Sequence, residues 1–190
     1  ELTRRGLDVV VLTVCARNLP SHEFEIVDMG YDRPPRLERR RRFVRWAGEQ
    51  LARLQPQIIH AISPIELANV YQPRGGLVEA NFRRNLARRG PLAAFVRRLA
   101  GLSPKQRLIR RQERYLARST KCLFLANSEF VARQCREWLG LDHSRVRVIY
   151  NGVDIERVRR PDDPEALAAA RRVFGLDGKV VGLFAANNLR

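Results

Sequence analysis

Two short stretches of this 190-residue chain carry residue types whose spacing suits the binding of an anion or a sugar. In VYQPRGGLVEANFRRN, residues 70–85, an apolar run is followed by Arg74, Gly75 and Gly76 and then by a helical pattern containing Glu79. A cation beside the free N–H groups at the start of a helix can hold an anion or a sugar hydroxyl. Alternatively, the glycines only form a tight turn and Arg74 only pairs with Glu79.

The second stretch, KCLFLANS at 121–128, places Asn127 and Ser128 directly after another apolar run. Ser128 is explained as the N-cap of the following helix, and contact with a substrate is the alternative. His60 closes a third run, QIIHAI, where it is a candidate catalytic base or a structural residue. His22 and His143 lie in predicted loops and carry no inference.

Strand-length apolar runs alternate with helical patterns, which predicts an α/β fold: a doubly wound, Rossmann-like parallel sheet with helices on both faces. A helix is expected to begin at Glu66, and Gly90-Pro91 and Gly101 to Pro104 interrupt the long helical pattern at 77–118. The predicted strands are 8–14, 24–28, 57–62, 70–76 (a strand end running into a turn), 121–126, 145–150 and 179–185, and the other predicted helices are 37–54, 128–140 and 164–174.

The chain is strongly basic, with 36 Lys and Arg against 20 Asp and Glu and a net charge of +16. All but three of these cations are arginines, so a genome that favours Arg codons is one explanation and a polyanionic partner is another. Three widely spaced cysteines form no disulfide or zinc pattern, which favours a reducing compartment. No apolar run reaches the length of a membrane span.

Much of the excess charge lies in residues 83–118, where arginines alternate with apolar residues in helical patterns. Such amphipathic helices lie on anionic membrane surfaces, and a solvated helix face is the alternative. A nucleic-acid-binding module would also use this charge, but no motif of that class is present and aromatic residues are few. The arginines assigned to a membrane-facing surface are Arg83, Arg84, Arg88, Arg89, Arg97, Arg98, Arg107, Arg110 and Arg111, and Arg114 and Arg118 continue the pattern.

The motif VRVIYNGVD at 146–154 admits two interpretations. Asn151-Gly152 between apolar residues is a strong hairpin signal, because both central turn positions need positive φ. The residues after Gly152 are charged and rich in proline, however, so the alternative is a strand end that leads into an interdomain linker.

Together with LANSEFVARQ one helix earlier, the turn Asn151, Gly152, Val153 and Asp154 resembles the end of the N-terminal domain of family 4 glycosyltransferases, which have the two-domain GT-B fold. The resemblance implies an acceptor-side domain at 1–152 that lacks its first strand, a linker and helix at 153–178, and the first strand of a donor-binding domain at 179–190. It further implies a fragment, inactive alone, in which Arg190 is a candidate for neutralising the donor diphosphate.

This resemblance implies transfer of a sugar from a nucleotide-diphosphate sugar to an acceptor hydroxyl, on lipopolysaccharide or another cell-envelope glycolipid. The resemblance implies that the reaction needs no metal and no cofactor and that the transferred sugar retains its anomeric configuration. The chain is expected to be cytoplasmic or peripheral on the inner face of the membrane. Family members carry a histidine near the position of Pro73-Arg74, so the catalytic base and the acceptor stay open. A nucleic-acid-binding or membrane-surface adaptor without catalysis is the alternative.

Overall fold

The structure is a computed structural model that describes residues 2–16, 24–30, 35–155 and 163–182. A 3-10 helix at Thr3–Arg5, capped by Gly6 in the left-handed region, precedes the first strand. The strands are β1 (Val10–Thr13), β2 (Glu25–Asp28), β3 (His60–Ala61), β4 (Val70–Tyr71), β5 (Leu123–Ala126) and β6 (Val146–Val148). The helices are α1 (Arg36–Leu54), α2 (Val78–Ala87), α3 (Pro91–Ala100), α4 (Pro104–Arg118), α5 (Glu129–Leu139) and α6 (Pro164–Val173).

Every strand pair in the described ranges is parallel, as the alternation of strands and helices predicts. One sheet has two strands, β1 and β2, and the other has the order β3-β4-β5-β6. Because consecutive strands lie side by side and point the same way, the chain segments that follow them meet at one edge of the sheet. The candidate segments 72–76 and 127–128 follow the neighbouring strands β4 and β5, and His60 is the first residue of β3, which pairs with β4.

The core lies between the four-stranded sheet and the helices packed on it. Phe124 of β5 and Leu116 of α4 are fully buried, and Tyr71 packs edge-on against Phe124 with ring centroids 5.4 Å apart. Cys122 and Cys135 are buried in the same cluster, and all three cysteines are free. The continuous apolar run of β5 is therefore explained by burial, as expected for a parallel sheet covered by helices.

Side chains close several helix ends. Ser128 accepts a hydrogen bond from the Val131 N–H at 3.3 Å and Gly140 ends α5 in the left-handed region, both as predicted. A guanidinium from outside the helix closes the C-terminus of α4. Arg145 donates to the carbonyls of Ala117 at 2.7 Å, Ser119 at 2.6 Å and Cys122 at 2.7 Å. The Ala117 and Ser119 carbonyls belong to the end of α4, where carbonyls lack partners within the helix, and Cys122 lies just before β5. Arg145, just before β6, therefore joins the end of α4 to the start of β5.

The helix predicted to begin at Glu66 is wrong. Residues 62–69 form a short connection with one turn, in which the Ala68 N–H donates to the Ile65 carbonyl at 3.1 Å. Eight residues must carry the chain from β3 to the start of the parallel neighbour β4, which leaves no room for a helix. The strand predicted at 57–62 is correspondingly reduced to two paired residues.

The hairpin interpretation of Asn151-Gly152 is also wrong. Neither residue has a positive φ, and no strand follows at 153–155. Within the described residues β6 pairs with β5 alone. The motif therefore ends a strand of the parallel sheet without starting an antiparallel one.

The chain divides into two compact units, Glu1–Tyr150 and Asn151–Arg190. In the second unit Asp163 caps α6 by accepting from the Glu165 N–H at 2.9 Å, and Arg171 donates to the Leu176 carbonyl at 2.8 Å. Of the strand predicted at 179–185, residues 179–182 are irregular, because no described segment of this unit offers a partner strand. Residues 183–185 lie outside the described residues.

Candidate functional site

Two of the predicted site segments are joined at the C-terminal edge of the sheet. The side-chain amide of Asn127, just after β5, donates to the backbone carbonyl of Arg74, in the loop after β4, at 3.0 Å. The loop after β4 is in turn tied to β3, since the Gln72 N–H donates to the Ala61 carbonyl at 2.9 Å. The structure thus brings Arg74 and Asn127 together, as their positions after neighbouring strands imply.

The turn after β4 depends on its second glycine. The Gly76 N–H donates to the Pro73 carbonyl at 3.0 Å, and Gly76 has a φ of +79°. A Cβ at this position would lie 2.5 Å from Oε1 of Gln134 on α5. Gly76 is therefore required for both its backbone conformation and its close approach to Gln134. Gly75 is different, because it has no positive φ and open space where a Cβ would lie.

The start of α2 is already occupied by side chains of two other helices. Gln134 accepts from the Leu77 N–H at 3.0 Å, and Glu113 of α4 accepts from the Val78 N–H at 3.2 Å. The sequence predicts that free N–H groups at this helix end could hold an anion. Instead Gln134 and the Glu113 carboxylate take the Leu77 and Val78 N–H groups, so these two groups are not free to hold an anion.

Glu113 and Gln134 contact the turn after β4 and the start of α2, and the sequence analysis missed them. Glu113 is buried, accepts a further hydrogen bond from the Tyr71 hydroxyl at 3.2 Å, and has its pKa raised to about 7, chiefly by burial. The hydrogen bonds from Val78 and Tyr71 and the charge of Arg40 oppose this shift. The sequence does contain a signal for this burial. Glu113 lies four residues after Ile109 and three before Leu116, which places its carboxylate on the apolar side of α4.

The alternative reading of Arg74, a pair with Glu79, is wrong. Glu79 pairs with Arg83 at 3.3 Å and with Arg110 of α4 at 2.9 Å. Arg74 is exposed and its guanidinium has no ion pair among the described residues. Its charge is therefore available to a ligand at the C-terminal edge of the sheet.

The remaining candidates at this edge differ in their roles. The Ser128 hydroxyl caps α5, which confirms the predicted N-cap role of this residue. His60 is exposed on β3 opposite Val70, and within the described residues it forms no hydrogen bond with Arg74 or Asn127. The turn residues Asn151 to Asp154 are exposed, and Arg190 lies outside the described residues.

The arginines of the basic region separate into two groups. Arg83 and Arg110 pair with Glu79, Arg83 also lies 4.9 Å from the ring centre of Trp138, and Arg84 donates to Asn81 at 2.6 Å and lies over Phe130. These three hold α2 against its neighbours. The other group is exposed and shows no ion pair in the described part of the chain: Arg88, Arg89, Arg98, Arg107 and Arg111. The side chain of Arg97 lies outside the described residues.

Helix α3 carries an uncovered apolar stripe. Leu92, Phe95, Val96 and Leu99 follow the spacing of one helix face, and their exposed fractions are 78%, 60%, 58% and 73%. Exposed apolar stripes of this kind are candidate contact surfaces. No helix in the described ranges is both long and apolar enough to cross a membrane.

Comparison with known proteins identifies the family. The sequence profile of Glycosyltransferase Family 4 matches residues 1–157, whereas no curated protein sequence matches the chain. A solved structure of similar fold is that of WaaG, a glycosyltransferase involved in lipopolysaccharide biosynthesis, with a TM-score of 0.72 and 13% identity over 93% of this chain. The chain spans 45% of that structure's length. These matches confirm the predicted family and the α/β, GT-B type of fold. Because the profile covers most of its length, the chain belongs to glycosyltransferase family 4.

Proposed function

We propose that this chain is the acceptor-side part of a glycosyltransferase that moves a sugar from a nucleotide-diphosphate sugar to an acceptor hydroxyl. Membership of the family over residues 1–157 carries the proposal. The joined loops after β4 and β5 support it, because ligands of open parallel sheets bind at the C-terminal ends of the strands. The acceptor we propose is a lipopolysaccharide or another glycolipid of the cell envelope.

In this proposal Arg74 contacts an anionic or hydroxyl group of the substrate. Its guanidinium is unpaired among the described residues, and its backbone is fixed by the hydrogen bond from Asn127 to its carbonyl. Hydrogen-bond donors held in place, such as a fixed guanidinium, stabilise negative charge that develops during the reaction. The proposal therefore includes no resident cofactor. Anomeric retention and independence of metal ions are part of the proposal on the basis of the family alone. His60 stays a candidate base.

The experiment is a transfer assay on the full-length protein with a panel of nucleotide sugars and a glycolipid extract as acceptor. We expect transfer from one donor, and we expect Arg74→Ala to lower kcat/KM by about tenfold or more, since a charge-assisted contact contributes about 1.5–3 kcal/mol. Arg133→Ala removes an equally charged, exposed side chain from α5 and is expected to leave the rate unchanged. No transfer with any donor, or equal losses in the two variants, would contradict the proposal.

We further propose that the protein acts at an anionic membrane surface on the cytoplasmic side. The exposed apolar stripe of α3 supports this, as do the neighbouring Arg88, Arg89 and Arg98, which form no ion pair among the described residues, because membrane-surface helices combine these two features. A solvated face would have no use for four large apolar side chains. Nucleic acid remains the less favoured partner, since aromatic side chains for base stacking are few in the basic region.

A further inference from the structure

Helix α4 presents a row of arginines to solvent. Arg107, Arg111, Arg114 and Arg118 recur every three or four residues, so they fall within about 60° of one another around the helix axis. The row is about 16 Å long, at 1.5 Å per residue. All four side chains are exposed. The opposite side of α4 carries the buried Gln112, Glu113 and Leu116, which fixes the row outward.

None of the four arginines of the row forms an ion pair among the described residues. Glu113 is the one acidic residue of α4, and it is buried at the start of α2. Elsewhere the exposed Arg42 pairs with Glu38, and the half-buried Arg136 pairs with Glu129. Like charges three or four residues apart destabilise a helix by about 0.2–0.5 kcal/mol per pair. The fold therefore carries an unfavourable term that an anionic ligand would remove.

The row also borders an open surface depression. A groove of about 520 Å³ is lined by the four arginines of the row, by Arg110, by the half-exposed Tyr115 and by Glu66. Arg110 is held by Glu79 at 2.9 Å, which fixes one guanidinium at the side of the groove. A groove of this volume accommodates a group the size of a sugar phosphate or a nucleotide.

We propose that this arginine row is a binding site for a ligand that carries several phosphate groups. Guanidinium groups bind phosphate oxygens through paired N–H donors, and their spacing of one helical turn or less lets each meet a separate phosphate. Within the proposed transferase the ligand is the phosphorylated part of the acceptor. That role rests on the proposed function, whereas binding itself is independent of sugar transfer.

The test uses tripolyphosphate as a soluble probe and vesicles containing phosphatidylglycerol as a lipid probe, both titrated into the full-length protein. Arg107→Gln with Arg111→Gln removes two charges four residues apart from the row. Arg41→Gln with Arg45→Gln removes two exposed charges at the same spacing from α1 and is the matched control. Thermal unfolding of each variant tests the fold, and we expect the row variant to be at least as stable as the parent because repulsion is removed.

We expect the row variant to bind tripolyphosphate at least about tenfold more weakly and the control to change by less than about threefold. Loss of vesicle binding by the row variant alone, with no binding of tripolyphosphate, would also support the site and would place the phosphates on a lipid. Equal losses in the two variants would overturn the proposal in favour of net charge. Absence of binding to both probes, or tighter binding of duplex DNA than of tripolyphosphate at equal phosphate concentration, would overturn it as well. A transferase that works without binding either probe would refute the site and leave the proposed function intact.

Discussion

At the scale of single residues, the two adjacent glycines of the turn after β4 have different requirements. Gly76 needs a left-handed backbone and lies where a Cβ would meet Gln134 at 2.5 Å, whereas Gly75 meets neither condition. A left-handed conformation alone costs a non-glycine residue about 1–2 kcal/mol. The steric conflict with Gln134 adds to this cost, because that side chain is held by its hydrogen bond to Leu77.

We therefore predict that Gly76→Ala lowers the free energy of unfolding by about 2 kcal/mol or more. Gly75→Ala serves as the control and is expected to change it by less than about 0.5 kcal/mol. Urea denaturation of both variants measures the difference. Similar losses of stability in the two variants would contradict the left-handed backbone of Gly76 and its close approach to Gln134.

At the scale of elements, a buried polar network joins β4, α2 and α4. The Tyr71 hydroxyl and the Val78 N–H both donate to Glu113. Arg40, in turn, donates to Gln112 at 2.7 Å and to the Pro64 carbonyl, which ties α1 to the same helix. Truncating one member leaves the others buried without partners, so this network fixes the helices around the candidate site.

This network predicts a pH-dependent stability centred on Glu113. Its pKa is about 7 in the folded protein against 4.5 for an ordinary glutamate, mainly because burial disfavours the charged form. Hydrogen bonds from Tyr71 and Val78 and the charge of Arg40 pull the pKa down, while Glu79 raises it. Between pH 4.5 and 7 the folded state binds more protons than the unfolded state. Stability from this group is thus full below about pH 4.5 and falls as pH rises to about 7, by on the order of 3 kcal/mol.

Glu113→Gln removes the titration and keeps one acceptor oxygen for Val78. We expect the stability of the variant relative to the parent to rise steadily from pH 4.5 to 7 and to stay constant above that. Urea unfolding at several pH values measures this difference. Glu137→Gln, which removes an exposed carboxylate from α5, controls for the loss of charge. Parallel curves for the parent and Glu113→Gln would contradict the assignment.

The local signals in the sequence predict the elements that depend on neighbours along the chain. Ser128 and Gly140 bound α5, and the breaks at Gly90 and Gly101 separate α2, α3 and α4 as predicted. A helix was predicted at Glu66 where the structure has a turn. The length of the connection at 62–69 depends on how far β3 lies from β4, which the local sequence does not specify. The closing of the α2 start by Glu113 and Gln134 was missed because these residues are 35 and 57 positions away from their partners. Such contacts depend on how helices pack, which periodicity does not encode.

At the scale of the whole molecule, the arginines behind the net charge of +16 have different roles. Some arginines act inside the fold, as Arg145 does at the end of α4 and Arg83 and Arg110 do at Glu79. The arginines of α3 and α4 that form no ion pair among the described residues flank the apolar stripe of Leu92, Phe95, Val96 and Leu99 and the groove beside Tyr115. The long-range field of the exposed group attracts anionic surfaces, and burial of the stripe would hold the protein there.

This combination predicts that the protein binds vesicles containing phosphatidylglycerol and that binding weakens as salt is added. We expect the double variant Leu92→Ser with Leu99→Ser to lower the partition coefficient at least about tenfold. Ile58→Ser with Leu67→Ser removes two aliphatic side chains that are 69% and 56% exposed and lie outside the basic region, so it is the matched control. We expect the control to bind as the parent does, in a co-sedimentation assay at fixed lipid concentration. Binding that survives in the α3 variant while failing in neutral vesicles would assign membrane attachment to the arginines alone. Equal losses in both variants would show that exposed apolar area anywhere on the surface suffices, and α3 would then have no special part in docking.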